Sequence, residues 1–261
     1  MVRSTRVGGW PLTAAVVGVL ALGAATALGG ELKRKSSTEP LPTDVQSHFA
    51  TAKCPPKHKL TGGGAQLADV VTLQGQDISR PLNKREWTAQ GFNSGGADSE
   101  VTAHVICLKK AKVKLASSAD VSGDPPTATA KCPKGTKLSG GGIDIDPDQA
   151  TGLGSYPSGK REWTAVGNDT PGLTAYAVCL KKRKVTRKEQ TEEMTGSAEV
   201  ETVTVKCKRG TKPTGGGAQV DPEDGFYQGS YPDGKRGWTA EAFGNPGTEL
   251  TAHVLCLKKK K

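Results

Sequence analysis

The sequence predicts an all-β protein of three tandem antiparallel modules, each stapled by a disulfide. Three observations carry that expectation. A long unit recurs three times, each copy has one opening and one closing cysteine, and short segments alternate polar with apolar residues. Cys54, Cys132 and Cys207 open the copies. Eight residues further on stand the glycine triplets Gly62–Gly64, Gly140–Gly142 and Gly215–Gly217. Next come Lys84-Arg85-Glu86-Trp87-Thr88-Ala89, Lys160-Arg161-Glu162-Trp163-Thr164-Ala165 and Lys235-Arg236-Gly237-Trp238-Thr239-Ala240. Each copy closes on Cys107, Cys179 or Cys256, followed by Leu-Lys-Lys.

The pairing Cys54–Cys107, Cys132–Cys179 and Cys207–Cys256 follows from that repeat, and an even cysteine count in an exported chain favours disulfides. Glu199–Val205 and Leu250–Leu255 alternate in period two and read as half-buried strands. Glu86–Ala89 and its counterparts read as a strand with the Trp inward. The glycine triplets mark a bulge or a close approach of backbone or Trp ring. Tyr156-Pro157-Ser158-Gly159 and Tyr231-Pro232-Asp233-Gly234 carry turn chemistry.

Composition limits the core. Only 34% of the 261 residues are hydrophobic and 5% aromatic, with 34 Gly and 16 Pro, so one deep core or a set of long helices is excluded. The sequence divides into a signal segment at 1–30, a disordered lead-in at 31–45 and repeat 1 at 46–110. A linker at 111–126, repeat 2 at 127–182, a charged linker at 183–197 and repeat 3 with a basic tail at 198–261 complete it. Polar linkers favour separate beads. The alternative is one closed pseudo-threefold, β-prism-like body, each copy supplying one sheet.

Arg3 and Arg6 precede an uncharged run from Pro11 to Leu28, and Ala25-Thr26-Ala27 offers a signal-peptidase site. The expectation is a secreted, extracellular or cell-surface protein. Membrane attachment would require the uncharged Val7–Gly30 stretch to stay uncleaved.

The units Cys132-Pro133-Lys134-Gly135-Thr136, Gly140–Gly142, Ser155-Tyr156-Pro157, Trp163-Thr164-Ala165 and Ala177-Val178-Cys179 resemble a group of secreted repeat proteins common in actinobacteria. A fainter similarity is to the vitelline membrane outer layer proteins, also threefold β repeats. These resemblances imply export and architecture, and no activity. Copy 1 departs from the pattern at Pro56-Lys57-His58 and lacks a Tyr-Pro-x-Gly turn.

Candidate chemistry is sparse. Gly154–Lys160 and Gly229–Lys235 match a P-loop spacing but are followed by Arg, not by the Ser/Thr that would hold Mg²⁺, so no nucleotide is expected. Asp144, Asp146 and Asp148 alternate, yet the glycine and the bidentate Glu of a calcium loop are missing. Asp221, Glu223 and Asp224 of copy 3 are no closer. No metal or cofactor is expected. His104 and His253 share a repeat position with Tyr176, as half-buried ring sites do, and no catalytic constellation is visible among His48, His58, His104 and His253. An enzyme site should break the repeat, and the altered segment Ala68–Leu82, with Asp77 and Arg80, is the place to look.

Basic pairs are the feature that recurs. Lys84, Arg85, Lys160, Arg161, Lys235 and Arg236 precede the tryptophans, and Lys109, Lys110, Lys181, Lys182, Lys258 and Lys259 follow the closing leucines. With 36 Lys+Arg against 26 Asp+Glu, the formal net charge is +10. These pairs either protect sheet edges or bind polyanions multivalently. The expected function is a non-enzymatic binding or structural protein of the cell envelope, its partner an anionic polymer or wall glycan. A secreted inhibitor or toxin-associated protein and an extracellular enzyme are the alternatives.

Overall fold

The computed structural model describes residues 32–42, 47–68, 78–93, 98–145, 152–168, 172–196, 200–220 and 225–258. Module 1 comprises β1 (Leu32–Leu41), β2 (Ser47–Lys53), β3 (His58–Ala68), β4 (Ile78–Pro81), β5 (Glu86–Phe92) and β6 (Ser99–Lys109). Module 2 comprises β7 (Val113–Ser118), β8 (Val121–Ser122), β9 (Thr127–Lys131), β10 (Thr136–Asp144), β11 (Gly152–Pro157), β12 (Glu162–Gly167) and β13 (Thr174–Lys181). Module 3 comprises β14 (Val185–Glu193), β15 (Glu201–Lys206), β16 (Thr211–Val220), β17 (Gly225–Tyr231), β18 (Gly237–Gly244) and β19 (Glu249–Lys258). The fold is all-β and antiparallel, in three separate sheets.

Each module is a small two-layer sandwich. In module 1, β1-β6-β3 faces β2-β5-β4, and Cys54–Cys107 ties the layers with Cα atoms 5.6 Å apart. Cys132–Cys179 and Cys207–Cys256 do the same in modules 2 and 3. Closing a loop of 53, 47 or 49 residues contributes roughly 4 kcal/mol per bridge in the chain-entropy model. That contribution matters to small cores built of alanines, a few larger aliphatics and a central Trp. Trp87, Trp163 and Trp238 are 0%, 1% and 0% exposed. Their indole N–H groups donate to Ser79, Ser155 and Ser230 Oγ at 3.1, 2.9 and 2.6 Å.

The glycine triplets do both things the sequence indicates. The strand register slips between Leu60 and Gly62, Leu138 and Gly140, and Pro213 and Gly215. The middle glycine then lies flat under the Trp ring. A Cβ on Gly63, Gly141 or Gly216 would stand 2.3, 2.1 or 2.5 Å from that ring.

The first glycine of each triplet joins the modules. A Cβ on Gly62 would fall 2.5 Å from Thr214 O, 2.8 Å from Gly215 Cα and 3.3 Å from Gly140 Cα. Thr61 Oγ1 donates to Thr214 O at 2.9 Å, and Ser139 Oγ to Thr61 O at 2.8 Å. The three triplets thus meet backbone to backbone at a pseudo-threefold axis.

Each sheet consequently runs from one module into the next. The orders are β1-β6-β3-β17-β18-β15, β2-β5-β4-β10-β13-β7 and β14-β19-β16-β11-β12-β9-β8. The seams are short, namely Ala65 opposite Ser230, Ile143 opposite Ser79, and Ser155 opposite Ala218. The three stapled antiparallel modules are therefore those the sequence predicts, but they are joined and not separate beads, and each copy supplies half of two sheets where the closed-body alternative gave it one whole sheet.

Three stretches differ from their sequence reading. The lead-in at 31–45 contains β1, which pairs with β6 from Leu32↔Leu108 to Leu41↔Ser99. The linker at 111–126 contains β7 and β8, and the one at 183–197 contains β14. All three are polar because they are edge strands exposing one face. β14, read from the sequence as a charged run, lines up with β19 from Val185↔Leu257 to Glu193↔Glu249. Residues 1–30, with the export-signal reading, lie outside the described residues.

Candidate functional site

The pseudo-symmetry gathers the basic residues at one end. Leu108, Leu180 and Leu257, the closing leucines of all three modules, share a single apolar cluster with Val113, and Leu32, Leu115 and Val185 pack against it. The lysines that follow them are exposed around that plug: Lys109, Lys110, Lys181, Lys182 and Lys258. The turns after the opening cysteines arrive at the same end, since Lys110 N–H donates to Lys57 O at 3.1 Å. The connections between modules add Lys112 and Lys184, whose carbonyls accept from Lys181 N–H at 3.1 Å and Lys258 N–H at 3.4 Å. Lys259 lies outside the described residues.

The pairs before the tryptophans join this end but divide their labour. The carbonyls of Arg85, Arg161 and Arg236 accept from the N–H groups of Cys54, Cys132 and Cys207 at 2.8, 2.7 and 2.9 Å. Arg85 Nη2 and Arg236 Nη1 also donate to the carbonyls of Cys54 and Cys207, at 2.8 and 3.2 Å. These arginines brace the disulfide turns. Lys84, Lys160 and Lys235 beside them are exposed. Glu86 and Glu162 are each spoken for by Lys53 and Lys131 at 2.5 Å, and those lysines, through hydrogen bonding first, hold the carboxyls below the usual range.

Acidic residues sit at the opposite strand ends. Glu39 and Glu100 flank the far end of the β1–β6 ladder, and Glu192, Glu193 and Glu249 that of β14–β19. The molecule is electrically polar along its axis.

Backbone conformation singles out the basic end again. Among the described residues, the non-glycine positions with positive φ are Lys57 (65°), Lys110 (54°) and Lys182 (53°). All three are lysines of this end. Lys57 stands where modules 2 and 3 have Gly135 and Gly210, at φ 79° and 80°. A left-handed conformation costs a side-chain-bearing residue about 1–2 kcal/mol, and glycine would relieve it.

The flanks carry a second set of equivalent positions, at the seams. His104 of β6 stacks on Tyr231 of β17 with centroids 5.6 Å apart, and Tyr156 of β11 stacks on His253 of β19 at 5.4 Å. In the remaining seam Arg80 of β4 lies over the Tyr176 ring of β13 at 5.4 Å and pairs with Asp144 at 2.6 Å. Arg80, the charged residue of the altered copy 1 segment, is thus the counterpart of Tyr156 and Tyr231. The Pro81 beside it matches Pro157 and Pro232, so copy 1 keeps more of the turn than its sequence shows. Asp144 answers Arg80; Asp146, Asp148, Asp221, Glu223, Asp224 and Asp77 lie outside the described residues. No group of three His, Cys, Asp or Glu side chains among the described residues is placed to hold a metal ion.

Burial pushes both seam histidines down to about 4, with Arg34 adding to the effect at His104 and Arg187 at His253. They are neutral in the folded protein and bind protons near pH 6.5 when unfolded. The unfolded chain therefore takes up more protons between those values, and stability falls as pH drops from about 6.5 toward 4. The Asp144 and Glu241 carboxyls, raised by burial, act in the opposite sense from their ordinary range upward, where the folded chain holds the extra proton; they are common to wild type and variant. The measurement is denaturant unfolding across this range for wild type and His253→Tyr. Tyr is what module 2 has at that position, and the variant should lose a clear part of the slope. Equal slopes in the two proteins would contradict buried, neutral histidines.

No family model matches the chain, and a search of curated proteins finds no match.

Proposed function

We propose that this chain is a secreted, non-enzymatic binding protein of the cell envelope whose basic end holds an anionic polymer. Three disulfides suit an oxidising environment. The observation that carries the reading is the set of left-handed lysines. Solubility or edge protection needs positive charge but no particular backbone, and glycine would serve the fold better at Lys57, Lys110 and Lys182. Strain retained at one surface by three side chains of one charge points to a ligand. The lysines surround an axis, so a flexible polyanion meets several at once and gains by multivalency.

The test uses those same residues. The triple variant Lys57→Gly, Lys110→Gly, Lys182→Gly should be at least as stable as wild type, yet be retained far more weakly on an anionic polymer such as polyglutamate or polyphosphate. Wild-type retention should fall steeply with salt, since screening shortens to about 8 Å at physiological ionic strength. A control with the same loss of net charge places glutamates away from this end: Pro40→Glu, Ser122→Glu, Gln190→Glu. It should keep most of the retention. Equal loss in the two triple variants would reduce the effect to net charge and overturn the reading.

The arginines do not belong in such a test. Replacing Arg85 or Arg236 would unseat the cysteine turns as well as remove charge.

A further inference from the structure

The two ends of the body differ in charge more sharply than solubility requires. The stretches 36–52, 86–108, 115–130, 138–159, 162–180, 189–205 and 237–257 contain no Lys or Arg. The edge strands that lead from one end to the other change sign on the way. β1 begins with Lys33, Arg34 and Lys35 and reaches Glu39 near its close. β7 carries Lys114 near its start, and Asp120 stands two residues past its end. β14 has Arg187 and Lys188 in its first half and Glu192 and Glu193 at its close.

The strand registers bring those acids together, away from the lysines. Leu32 lies opposite Leu108 at the basic end, and Pro40 opposite Glu100 at the other. Val113 lies opposite Leu180, whereas Ser118, whose Oγ accepts from Asp120 N–H at 3.3 Å, lies opposite Ala175. Val185 lies opposite Leu257, and Glu193 opposite Glu249. All three modules thus give acid to this end, through Glu39 and Glu100, Asp120, and Glu192, Glu193 and Glu249. All but Glu39 are exposed, and among the described residues none of the six is in a salt bridge. Both ends are arranged about one pseudo-threefold axis, so they match in symmetry and are opposite in sign.

We propose that the basic end docks on the acidic end of a second copy of this chain, so that molecules stack head to tail along their axes. The inference takes from the preceding reading only that the basic end binds negative charge. The formal net charge of +10 disfavours contact between like ends, and the end-to-end approach is the one in which opposite charges meet. A contact between unlike ends is heterologous. Each docked molecule leaves one acidic and one basic end free, and the stack stays open. Exposed charges hold such a contact weakly, and salt dissolves it. A free polyanion competes for the same lysines, so polymer and neighbour exclude one another at that end.

The experiment is sedimentation velocity of the full chain over a range of concentrations at low ionic strength. The average mass should rise with concentration and return to that of the monomer at high salt. The variant Glu100→Gln, Asp120→Asn, Glu193→Gln removes one acid per module and should weaken association about tenfold, the combined loss of three exposed charge pairs. It should bind polyphosphate as wild type does, because its basic end is intact. Thr51→Lys, Thr129→Lys, Thr204→Lys changes the net charge equally but on the flanking strands β2, β9 and β15, and should still stack. The Lys57, Lys110 and Lys182 glycine variant should not stack alone. Mixed with the acid-end variant it should form pairs and nothing larger, since each partner then has one working end. A monomeric wild type at low salt, undiminished stacking by the acid-end variant, equal loss in the flank control, or growth beyond pairs in the mixture would each overturn the inference. Stacking without retention on polyphosphate would instead overturn the polymer reading and leave this one standing.

Discussion

Replacing Trp163 with Ala should cost about 3–5 kcal/mol and melt all three modules in one transition. A chain of independent beads would lose module 2 and keep the other two. The shared sheets forbid that. The Trp163 ring lies against Gly141 of β10 and bonds to Ser155 of β11. β10 is paired with β4 of module 1, and β11 with β16 of module 3. Losing the ring loosens two strands on which both neighbours depend. Trp87 and Trp238 remain in the variant as internal probes. Their fluorescence should change with backbone circular dichroism at a single, lowered denaturant midpoint. A second transition at the wild-type midpoint would show modules 1 and 3 standing alone.

Gly140→Ala should be a strongly damaging addition of a single methyl group. Its Cβ would stand 2.6 Å from Gly62 Cα and 2.7 Å from Thr61 O. Both are backbone atoms at the axis, where three strands are already in contact, so no side chain can swing aside. Overpacking typically costs about 1–3 kcal/mol and occasionally more, and here the upper end is expected. Gly154→Ala is the comparison, since its nearest neighbours would be at 3.3 and 3.4 Å and one is a Tyr ring edge. It should cost under about 1 kcal/mol. Thermal unfolding of both proteins distinguishes them, and equal midpoints would argue against a close-packed axis.

Much of this architecture was legible in the residues. The spacing of Cys, Gly triplet, Trp and closing Cys defined the modules and their staples, and period-two alternation defined most strands. The tryptophan environment was legible too, because a triplet of glycines opposite a single large ring has few other uses. What the sequence concealed was partnership between copies. A seam is one or two residue pairs long, such as Ala65 opposite Ser230, and nothing in either segment's composition marks it. The edge strands were concealed for a related reason. Lys33-Arg34-Lys35-Ser36-Ser37 and Glu189-Gln190-Thr191-Glu192-Glu193 expose one face and much of the other. Their polarity matches that of a linker.

The candidate sites divided in the same way. The recurring lysines could be seen at once as a feature without a folding role, but their convergence depends on the closing leucines meeting at one plug. The structural role of Arg85 and Arg236 is visible only in the geometry, because a guanidinium that braces a cysteine carbonyl looks in sequence like any other charge. The equivalence of the two edge strands could have been found only by aligning 32–41 with 185–193. The shared Arg-x-(Ser/Glu)-x-Thr spacing, Arg34-x-Ser36-x-Thr38 and Arg187-x-Glu189-x-Thr191, was present but lay in stretches set aside as unstructured.

The claim on which the rest depends is that three sequence repeats make one body and bring their lysines to one end. Lysine-directed cross-linking with a short spacer, at protein concentrations too low for contacts between molecules, tests it directly. Proteolysis and mass spectrometry should recover links joining Lys110 to Lys182, Lys182 to Lys258, and Lys258 to Lys110, all within monomers and all lost on unfolding. Links confined to lysines of the same module, with none between modules 1 and 3, would contradict it.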